Sequence, residues 1–368
     1  MTATAPRRMV EKLTALTDWF ASPLRTSHYL ELVNPLWTTH KLQARVVDVW
    51  DETADARTLT LRPGPNWRAH RAGQHVRVGI PIGGMHHTRT YSISSAPERD
   101  DGCLTITVKA MSGGRVSPHL VRTVVPGAYL PLGLPQGEFT LPDAVPVRPL
   151  FISAGSGITP IMSMIRSQAL RGKLPDIVHL HYAPHPYDVI FGNELERLAA
   201  EHPRYRLARV YTRSAGEEPS ARRHFTAQQL QEVCPDWRAR DTYACGPQGL
   251  LAALEAHWQQ AGLARRLHIE RFHAPWVELP REVAGGRVWL AKSGVAVESD
   301  GRMNLLRVAE DAGLNPPHGC RMGICHSCDT RLLAGCVRDL RTGAVVDQSG
   351  ATIQLCVNAA AGNVELDI

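Results

Sequence analysis

Four cysteines near the end of the chain constrain its fold more than any other feature. The segment Pro316–Cys328 places Cys320, Cys325 and Cys328 in a Cys-x4-Cys-x2-Cys pattern, and Cys356 follows after 27 intervening residues. This spacing is typical of four thiolates that hold a [2Fe–2S] cluster. The sequence therefore predicts a one-electron redox centre in the last quarter of the chain.

Other interpretations of these cysteines fit less well. Zinc sites usually show two paired Cys-x2-Cys or Cys/His hooks, and only one such pair is present. A disulfide framework is typical of short secreted chains, whereas this chain has 368 residues and no apolar segment that resembles a secretory signal. His318 and His326 suggest a Rieske centre, but that centre needs two histidines in place of two of the four cysteines. Cys336 is the alternative fourth ligand, and the spacing favours Cys356.

Length and charge limit the remaining possibilities. A chain of 368 residues predicts two to three domains, and the absence of a run of about eighteen apolar residues argues against a membrane span. We expect a cytoplasmic protein because four further cysteines would be free thiols. Of the formal net charge of +6, residues 285–368 carry −1 and the rest +7. That excess would suit an acidic partner, a phosphate-rich cofactor or an anionic membrane surface, and we see no nucleic-acid pattern.

Residues 41–146 show short β-rich runs separated by Pro, Gly and Asp, which predicts an antiparallel β-barrel. One run contains Arg89-Thr90-Tyr91-Ser92. Arginine offers a charged fork for a pyrophosphate, tyrosine a flat face for a ring system and serine a hydroxyl for a ring nitrogen. Alternation along a strand separates Ser92 from the other two, so a twist or bulge near Tyr91 is expected. A glycine turn at residues 111–118 follows, with Ser117 as the predicted N-cap and Pro118 as the first helical residue.

Residues 147–273 alternate apolar strands with helices, which predicts a doubly wound parallel sheet. The strand Pro149–Ala154 leads into Gly155-Ser156-Gly157-Ile158-Thr159-Pro160. Gly155 permits a tight turn and Gly157 permits close approach of a pyrophosphate, with Thr159 as the predicted cap and Pro160 as the first helical residue. The Gly-x-Gly-x-x-Gly fingerprint is absent. Two further strand ends carry Cys245-Gly246-Pro247 and Arg213-Ser214.

Taken in this order, these motifs resemble the ferredoxin–NADP reductase family of flavin enzymes, followed by a plant-type ferredoxin of the β-grasp class. The resemblance implies FAD as the cofactor, with FMN as the alternative. It places Arg89 at the flavin phosphates, Tyr91 against the ring and Ser92 near N5, with Thr90 also among the cofactor-binding residues. It also implies further flavin contacts from two neighbouring segments: Ile106, Val108 and Lys109, and Gly113, Gly114, Val116 and Ser117.

The same resemblance assigns the nucleotide site. It implies that Cys245, Gly246 and Pro247 lie beside the nicotinamide, and that Phe272 covers the flavin ring. Ser92, Cys245 and Phe272 are then the residues nearest the hydride transfer. Arg213 and Ser214 fall at the adenosine ribose, where an arginine accommodates a 2′-phosphate, so we predict NADPH, with NADH as the alternative. Core packing is the competing interpretation for Cys245 and Phe272.

The expected domains are a leader (1–40), a flavin barrel (41–146), a nucleotide domain (147–273), a linker (274–284) and a ferredoxin domain (285–368). Apolar residues in the leader recur at helical spacing, which suits either a helix packed on the chain itself or one at a membrane surface. Residues 32–37 are predicted to form an extended anchor with Trp37 buried. Within this segment, Asn34-Pro35-Leu36-Trp37 resembles the leaders of reductases that serve membrane desaturases.

We therefore predict an NAD(P)H-dependent reductase that passes electrons through flavin and cluster to an acceptor. The first candidate acceptor is a di-iron membrane oxygenase such as a fatty-acyl desaturase. The second is a Rieske ring-hydroxylating dioxygenase or another soluble oxygenase. A redox sensor is the alternative from a different class of function.

Overall fold

A computed structural model describes residues 34–38, 41–172, 174–213, 224–272, 283–319, 321, 323 and 326–368. The chain divides into two compact units. The first contains most of residues 41–269, and the second contains residues 88–90, 246–252 and 270–368. Among the described helices, none is long and apolar enough to cross a membrane.

The first part of unit one is an antiparallel β structure closed around an apolar core. Its elements are β1 (Gln43–Thr53), β2 (Ala56–Pro63), β3 (His75–Ile82), β4 (Met85–Ser92), β5 (Leu104–Lys109), helix α1 (Val116–Arg122) and β6 (Tyr129–Pro131). The strands form a four-stranded sheet in the order β5-β2-β1-β6 and a pair, β3-β4. A single bridge from Ile93 to Ile106 joins the end of the pair to β5, and Val78 bridges to Leu132, the residue after β6. The predicted barrel is confirmed.

The second part of unit one is a parallel sheet flanked by helices. Its elements are β7 (Pro149–Ala154), α2 (Ile158–Leu170), β8 (Ile177–Ala183), α3 (Gly192–Glu201), β9 (Tyr205–Tyr211), α4 (Ala227–Val233), β10 (Asp241–Cys245), α5 (Gln248–Gln260) and β11 (Leu267–Glu270). The strand order is β11-β10-β7-β8-β9. The chain therefore reverses its direction of winding between β7 and β10, and ligands of open α/β sheets bind at such a switch point.

Unit two contains a mixed sheet with one short helix. Its elements are β12 (Gly286–Leu290), β13 (Val295–Ser299), α6 (Leu305–Asp311), β14 (Asp329–Asp339), β15 (Val345–Val346), β16 (Thr352–Gln354) and β17 (Asn358–Leu366). The sheet order is β13-β12-β17-β14-β15, and β16 pairs with β14. Asn304 caps α6, since its side chain accepts the Arg307 N–H at 2.8 Å. Asn34 caps the short turn Pro35–Trp37 in a similar way. The predicted ferredoxin domain class is confirmed.

The described part of the leader differs from the prediction. Pro35–Trp37 is one turn of 3-10 helix because Pro35 starts it and the Asn34 side chain accepts the Leu36 N–H at 3.0 Å. Trp37 is 48 % exposed, so the prediction of a buried, extended anchor is wrong. The predicted amphipathic helix lies outside the described residues.

Candidate functional site

The predicted flavin motif lies at the end of a strand. β4 carries Arg89, Thr90, Tyr91 and Ser92, and it ends at Ser92. The next residue, Ile93, bridges to β5, so the chain crosses from one sheet to the other directly after the motif. Ser92 is buried, and Tyr91 is half-buried against the barrel core. The Thr90 hydroxyl is buried and has no hydrogen-bond partner among the described residues, as expected where a ligand group completes the site.

The residues predicted to flank the flavin on β5 have other neighbours. Ile106 and Val108 are buried in the barrel core. Lys109 Nζ makes an ion pair with Asp55 Oδ1 at 2.6 Å. Their side chains therefore support the barrel wall, and their contact with a flavin stays a prediction.

The glycine loop after β5 closes on itself. Gly113 is exposed with φ +72°, and Gly114 N–H donates to Met111 O at 3.0 Å. Ser117 is not the N-cap that we predicted: the helix begins at Val116, and the cap position is Arg115. The Ser117 hydroxyl instead accepts the Met111 N–H at 3.0 Å, so it fastens the loop across six residues.

The turn after β7 is wound more tightly than predicted. Gly155–Gly157 forms a 3-10 turn that runs directly into α2, which begins at Ile158. Thr159 is therefore not the N-cap and Pro160 is not the first helical residue. The Thr159 hydroxyl donates to Ser156 O at 2.9 Å. Gly155 has φ +53° and faces open space where a side chain would stand, which leaves room for a ligand at this turn.

Cys245 is brought to this same turn by the sheet. β10 and β7 pair in parallel with Cys245 opposite Ser153, two residues before Gly155. Because the winding reverses between these strands, the Gly155 turn and Cys245 flank the switch point. Cys245 is fully buried, which is consistent with either the core interpretation or a place beneath the nicotinamide.

The remaining predicted nucleotide residues are only partly described. Arg213 follows β9, is exposed, and its N–H donates to Pro184 O at 3.0 Å, which joins the ends of β8 and β9. Ser214 lies outside the described residues. Phe272 follows β11 and is half-buried. The roles of these residues stay predictions.

Two of the four predicted cluster ligands are described, and they are adjacent. Cys328 and Cys356 are both buried, and Leu355 N–H donates to Cys328 O at 3.1 Å. The Cys356 thiol hydrogen-bonds to Cys328 and lowers the pKa of the Cys328 thiol. Cys336 instead donates to Ala361 O at 3.0 Å. Cys320 and Cys325 lie outside the described residues. The pair of thiols fits a cluster site that uses Cys356 as the fourth ligand.

The backbone of the cluster loop is left-handed at three of its described residues. Arg321 (φ +59°), Gly323 (φ +71°) and His326 (φ +56°) are all left-handed, although only the glycine does so without strain. Arg321 is paired with Glu310 on α6, with its Nη1 2.9 Å from Oε2. Arg341 Nη1 donates to Gly323 O at 3.1 Å. A side chain at Gly323 would meet Arg341 Nη1 at 2.5 Å, so Arg341 would have to move, and the φ of +71° also favours glycine.

A buried polar network beneath the nucleotide turn was also missed. Ser153 Oγ lies 2.8 Å from His179 Nε2 and 2.7 Å from His181 Nδ1, and His179 Nδ1 lies 2.7 Å from Tyr205 OH. Burial lowers the pKa of His179 well below its usual value and that of His181 to about 3, so both rings are neutral. The sequence signal for this network is the spacing of the two histidines on β8, which places both on one face of a fully buried strand.

Comparison with known proteins identifies three domains in this chain. Residues 44–141 match the oxidoreductase FAD-binding domain, residues 151–256 the oxidoreductase NAD-binding domain and residues 290–357 the 2Fe-2S iron-sulfur cluster binding domain. A relative named NADPH oxidoreductase, from Mycobacterium tuberculosis, is 44% identical over 350 residues, which cover 94% of this chain and 90% of the relative. The glycine betaine monooxygenase reductase subunit of Pseudomonas aeruginosa is 30% identical over 353 residues, covering 90% and 96%.

A solved structure has the same arrangement of folds. Phthalate dioxygenase reductase, described as a modular structure for electron transfer from pyridine nucleotides to [2Fe–2S], matches with a TM-score of 0.63 and 25% identity. The match covers 89% of this chain and 98% of that one.

The chain belongs to the family of oxidoreductases that combine FAD-binding, NAD-binding and 2Fe-2S domains. It is an NAD(P)H-dependent oxidoreductase whose cofactors are FAD, NAD(P)H and a [2Fe–2S] cluster, as the sequence predicted. The orphaned Thr90 hydroxyl, the open left-handed Gly155 and the paired thiols of Cys328 and Cys356 fit these groups.

Proposed function

We propose that this protein is an NADPH-dependent reductase that delivers electrons to a separate oxygenase. The observation that carries the proposal is the combination, in one chain, of a nucleotide switch point, a flavin strand and an adjacent pair of cluster thiols. When bound, FAD and the cluster together allow electrons from a two-electron hydride donor to be passed on one at a time. Two relatives are named as reductase components of monooxygenases, which supports an oxygenase as acceptor.

The residues have distinct parts in this proposal. Arg89 and the loop at Gly113 and Gly114 hold the flavin phosphates, and Tyr91 and Ser92 orient its ring. Gly155 and the 3-10 turn that leads into the thirteen-residue helix α2 bind the nucleotide pyrophosphate. Cys245 shapes the nicotinamide position, Phe272 shields the ring from water, and Cys320, Cys325, Cys328 and Cys356 ligate the cluster.

NADPH is proposed as the donor because Arg213 follows β9 where a carboxylate would favour NADH. The relative named NADPH oxidoreductase supports this preference. Wild type should show a higher kcat/KM with NADPH than with NADH, and Arg213→Ala should remove most of that difference by raising the KM for NADPH. Equal use of both nucleotides by wild type would contradict the assignment.

The first acceptor to be tested is a membrane-bound di-iron desaturase. Its support is the resemblance of Asn34-Pro35-Leu36-Trp37 to the leaders of reductases that serve such enzymes, together with the exposed Trp37. A variant that lacks residues 1–40 should lose binding to vesicles with anionic lipids and should keep NADPH-driven cytochrome c reduction. Intact protein that never associates with vesicles would remove the support for a membrane acceptor.

The second acceptor is a soluble oxygenase, and a specific observation favours it: the relatives include reductases of a glycine betaine monooxygenase and of a 3-ketosteroid-9-alpha-monooxygenase. Purified candidate oxygenases of both kinds should be compared for substrate turnover driven by NADPH and this protein. Rapid cytochrome c reduction by the intact protein would argue against a redox sensor, which would turn over negligibly.

A further inference from the structure

The flavin strand and the nucleotide helix of unit one are joined by a compact set of polar contacts. Ser163 Oγ, on α2, donates to Ser95 O at 2.6 Å. Arg166 lies on the same helix, one turn further along, and its Nη1 donates to Ser94 O at 2.7 Å. Two consecutive barrel carbonyls are therefore held from consecutive turns of one helix. These carbonyls come two and three residues after Ser92, and the helix begins directly after the Gly155 turn.

Arg166 is itself fixed from the other side. Its Nε lies 2.9 Å from Glu194 Oε1 on α3, its Nη2 contacts the second carboxylate oxygen at 2.5 Å, and its guanidinium lies 4.6 Å from the centre of the Phe191 ring. A bidentate fork fixes both the position and the plane of the guanidinium. The side chains of Arg166 and Glu194 are only 21 % and 25 % exposed, so water screens the pair less than a surface ion pair.

The carbonyls that Arg166 and Ser163 hold have little freedom on the barrel side. Ser94 Oγ bonds to Thr105 Oγ1 and Thr107 Oγ1, and Ser95 Oγ accepts the Thr105 N–H. A change in the position of α2 is therefore transmitted to the strand end rather than absorbed by it.

We propose that Arg166, oriented by Glu194 and assisted by Ser163, is a positioning residue for hydride transfer, which fixes the separation between the flavin motif and the nucleotide turn. This inference rests on the proposed function. A displacement of about 1 Å between reacting groups can lower a rate by up to about a hundredfold. Arg166 touches no reacting atom, so its loss affects the rate of hydride transfer much more than nucleotide affinity.

The test compares wild type with Arg166→Met and Ser163→Ala. Arg209→Met is the matched control, because Arg209 pairs with Glu196 on the same helix α3 at 2.6 Å, entirely within the nucleotide domain. Anaerobic stopped-flow at saturating NADPH measures flavin reduction. We expect Arg166→Met to slow it about ten- to a hundredfold with the nucleotide dissociation constant changed less than about threefold. Ser163→Ala should have a smaller effect in the same direction, and Arg209→Met should match wild type.

A second readout does not depend on activity. Hydrogen exchange of the apoprotein should be faster in Arg166→Met at residues 94–96 and 158–171, and unchanged there in Arg209→Met. If Arg166→Met does not fold, Glu194→Gln, which keeps the size of the side chain and removes its charge, should show the same exchange and rate pattern. Wild-type flavin reduction in folded Arg166→Met, or equal slowing in Arg209→Met, would overturn the inference. A wild type that NADPH does not reduce would instead refute the proposed function.

Discussion

Cys245, the last residue of β10, lies directly opposite Ser153 of β7, and this parallel pair stands immediately before the Gly155–Gly157 turn. The pairing places a buried thiol at the point where the sheet reverses its winding. Two segments separated by about ninety residues of sequence thus form one edge, which is where a nicotinamide is expected.

The first prediction concerns this thiol. Cys245→Ala should slow hydride transfer from NADPH by about tenfold because the nicotinamide loses a neighbour that limits its position. Stopped-flow flavin reduction measures the rate. Cys234→Ala is the control, since Cys234 is equally buried in the same domain and its thiol donates to Asp236. Equal slowing in both variants would mean that Cys245 is a core residue only.

The second prediction separates the two candidates for the fourth cluster ligand. Cys356→Ser should lose most of the cluster because its thiol is adjacent to Cys328, whereas Cys336→Ser should retain it because Cys336 bonds to Ala361 O. Iron and sulfide content and the visible absorption of the purified proteins provide the measurement. A full cluster in Cys356→Ser together with its loss in Cys336→Ser would reverse the assignment.

The third prediction concerns the nucleotide turn. Gly155→Ala should raise the KM for NADPH about tenfold, because a methyl group would enter the open space at the turn. Gly172→Ala is the control: Gly172 lies just after α2, has φ +63° and also faces open space. Both variants should lose about 1–2 kcal/mol of stability through left-handed strain. An unchanged KM in Gly155→Ala would show that the nucleotide does not approach this turn.

The fourth prediction is a pH dependence of stability. The pKa values of His179 and His181 are lowered in the folded protein, so the unfolded chain binds more protons below its own pKa of about 6.5. The contribution of the two neutral rings to the free energy of unfolding is therefore fully present above that pH. Below it, the free energy of unfolding falls by roughly 1.4 kcal/mol per pH unit for each histidine.

Urea unfolding between pH 7.5 and 5, followed by a signal from the nucleotide domain, provides the measurement. His181→Gln should be less stable than wild type at pH 7.5 and should show a shallower pH dependence. His185→Gln is the control, since His185 lies in a turn after β8. A wild-type stability that is flat over this range would contradict the burial of neutral rings.

Much of the fold could be predicted because its signals are local. β7 has the bounds that the sequence predicted, Pro149–Ala154, since it is a run of mostly apolar residues that ends at a glycine turn. The starts of α1 and α2 were wrong by two residues because preceding turns continue into each helix. β14 was missed because its charged and apolar residues alternate irregularly around Cys336.

Site features that depend on distant contacts had no such signal. Arg166 and Ser94 are 72 residues apart, and nothing near either residue in the sequence indicates that they meet. The left-handed conformations of Arg321 and His326 were likewise missed, because residues with side chains rarely adopt them. A glycine such as Gly323 is the usual sequence signal of such a turn. The spacing of the cysteines, in contrast, could be recognised from the sequence, because a [2Fe–2S] cluster requires four thiolate ligands at characteristic intervals.

The central claim is that electrons pass from NADPH through the flavin to the cluster within this one chain. An anaerobic titration of the reconstituted protein with NADPH, followed by visible absorption and electron paramagnetic resonance, tests it most directly. The account predicts bleaching of the flavin together with the appearance of the signal of a reduced [2Fe–2S] cluster. In Cys356→Ser the flavin should still bleach and the cluster signal should be absent. Flavin bleaching without cluster reduction in a wild type that holds a full cluster would contradict it.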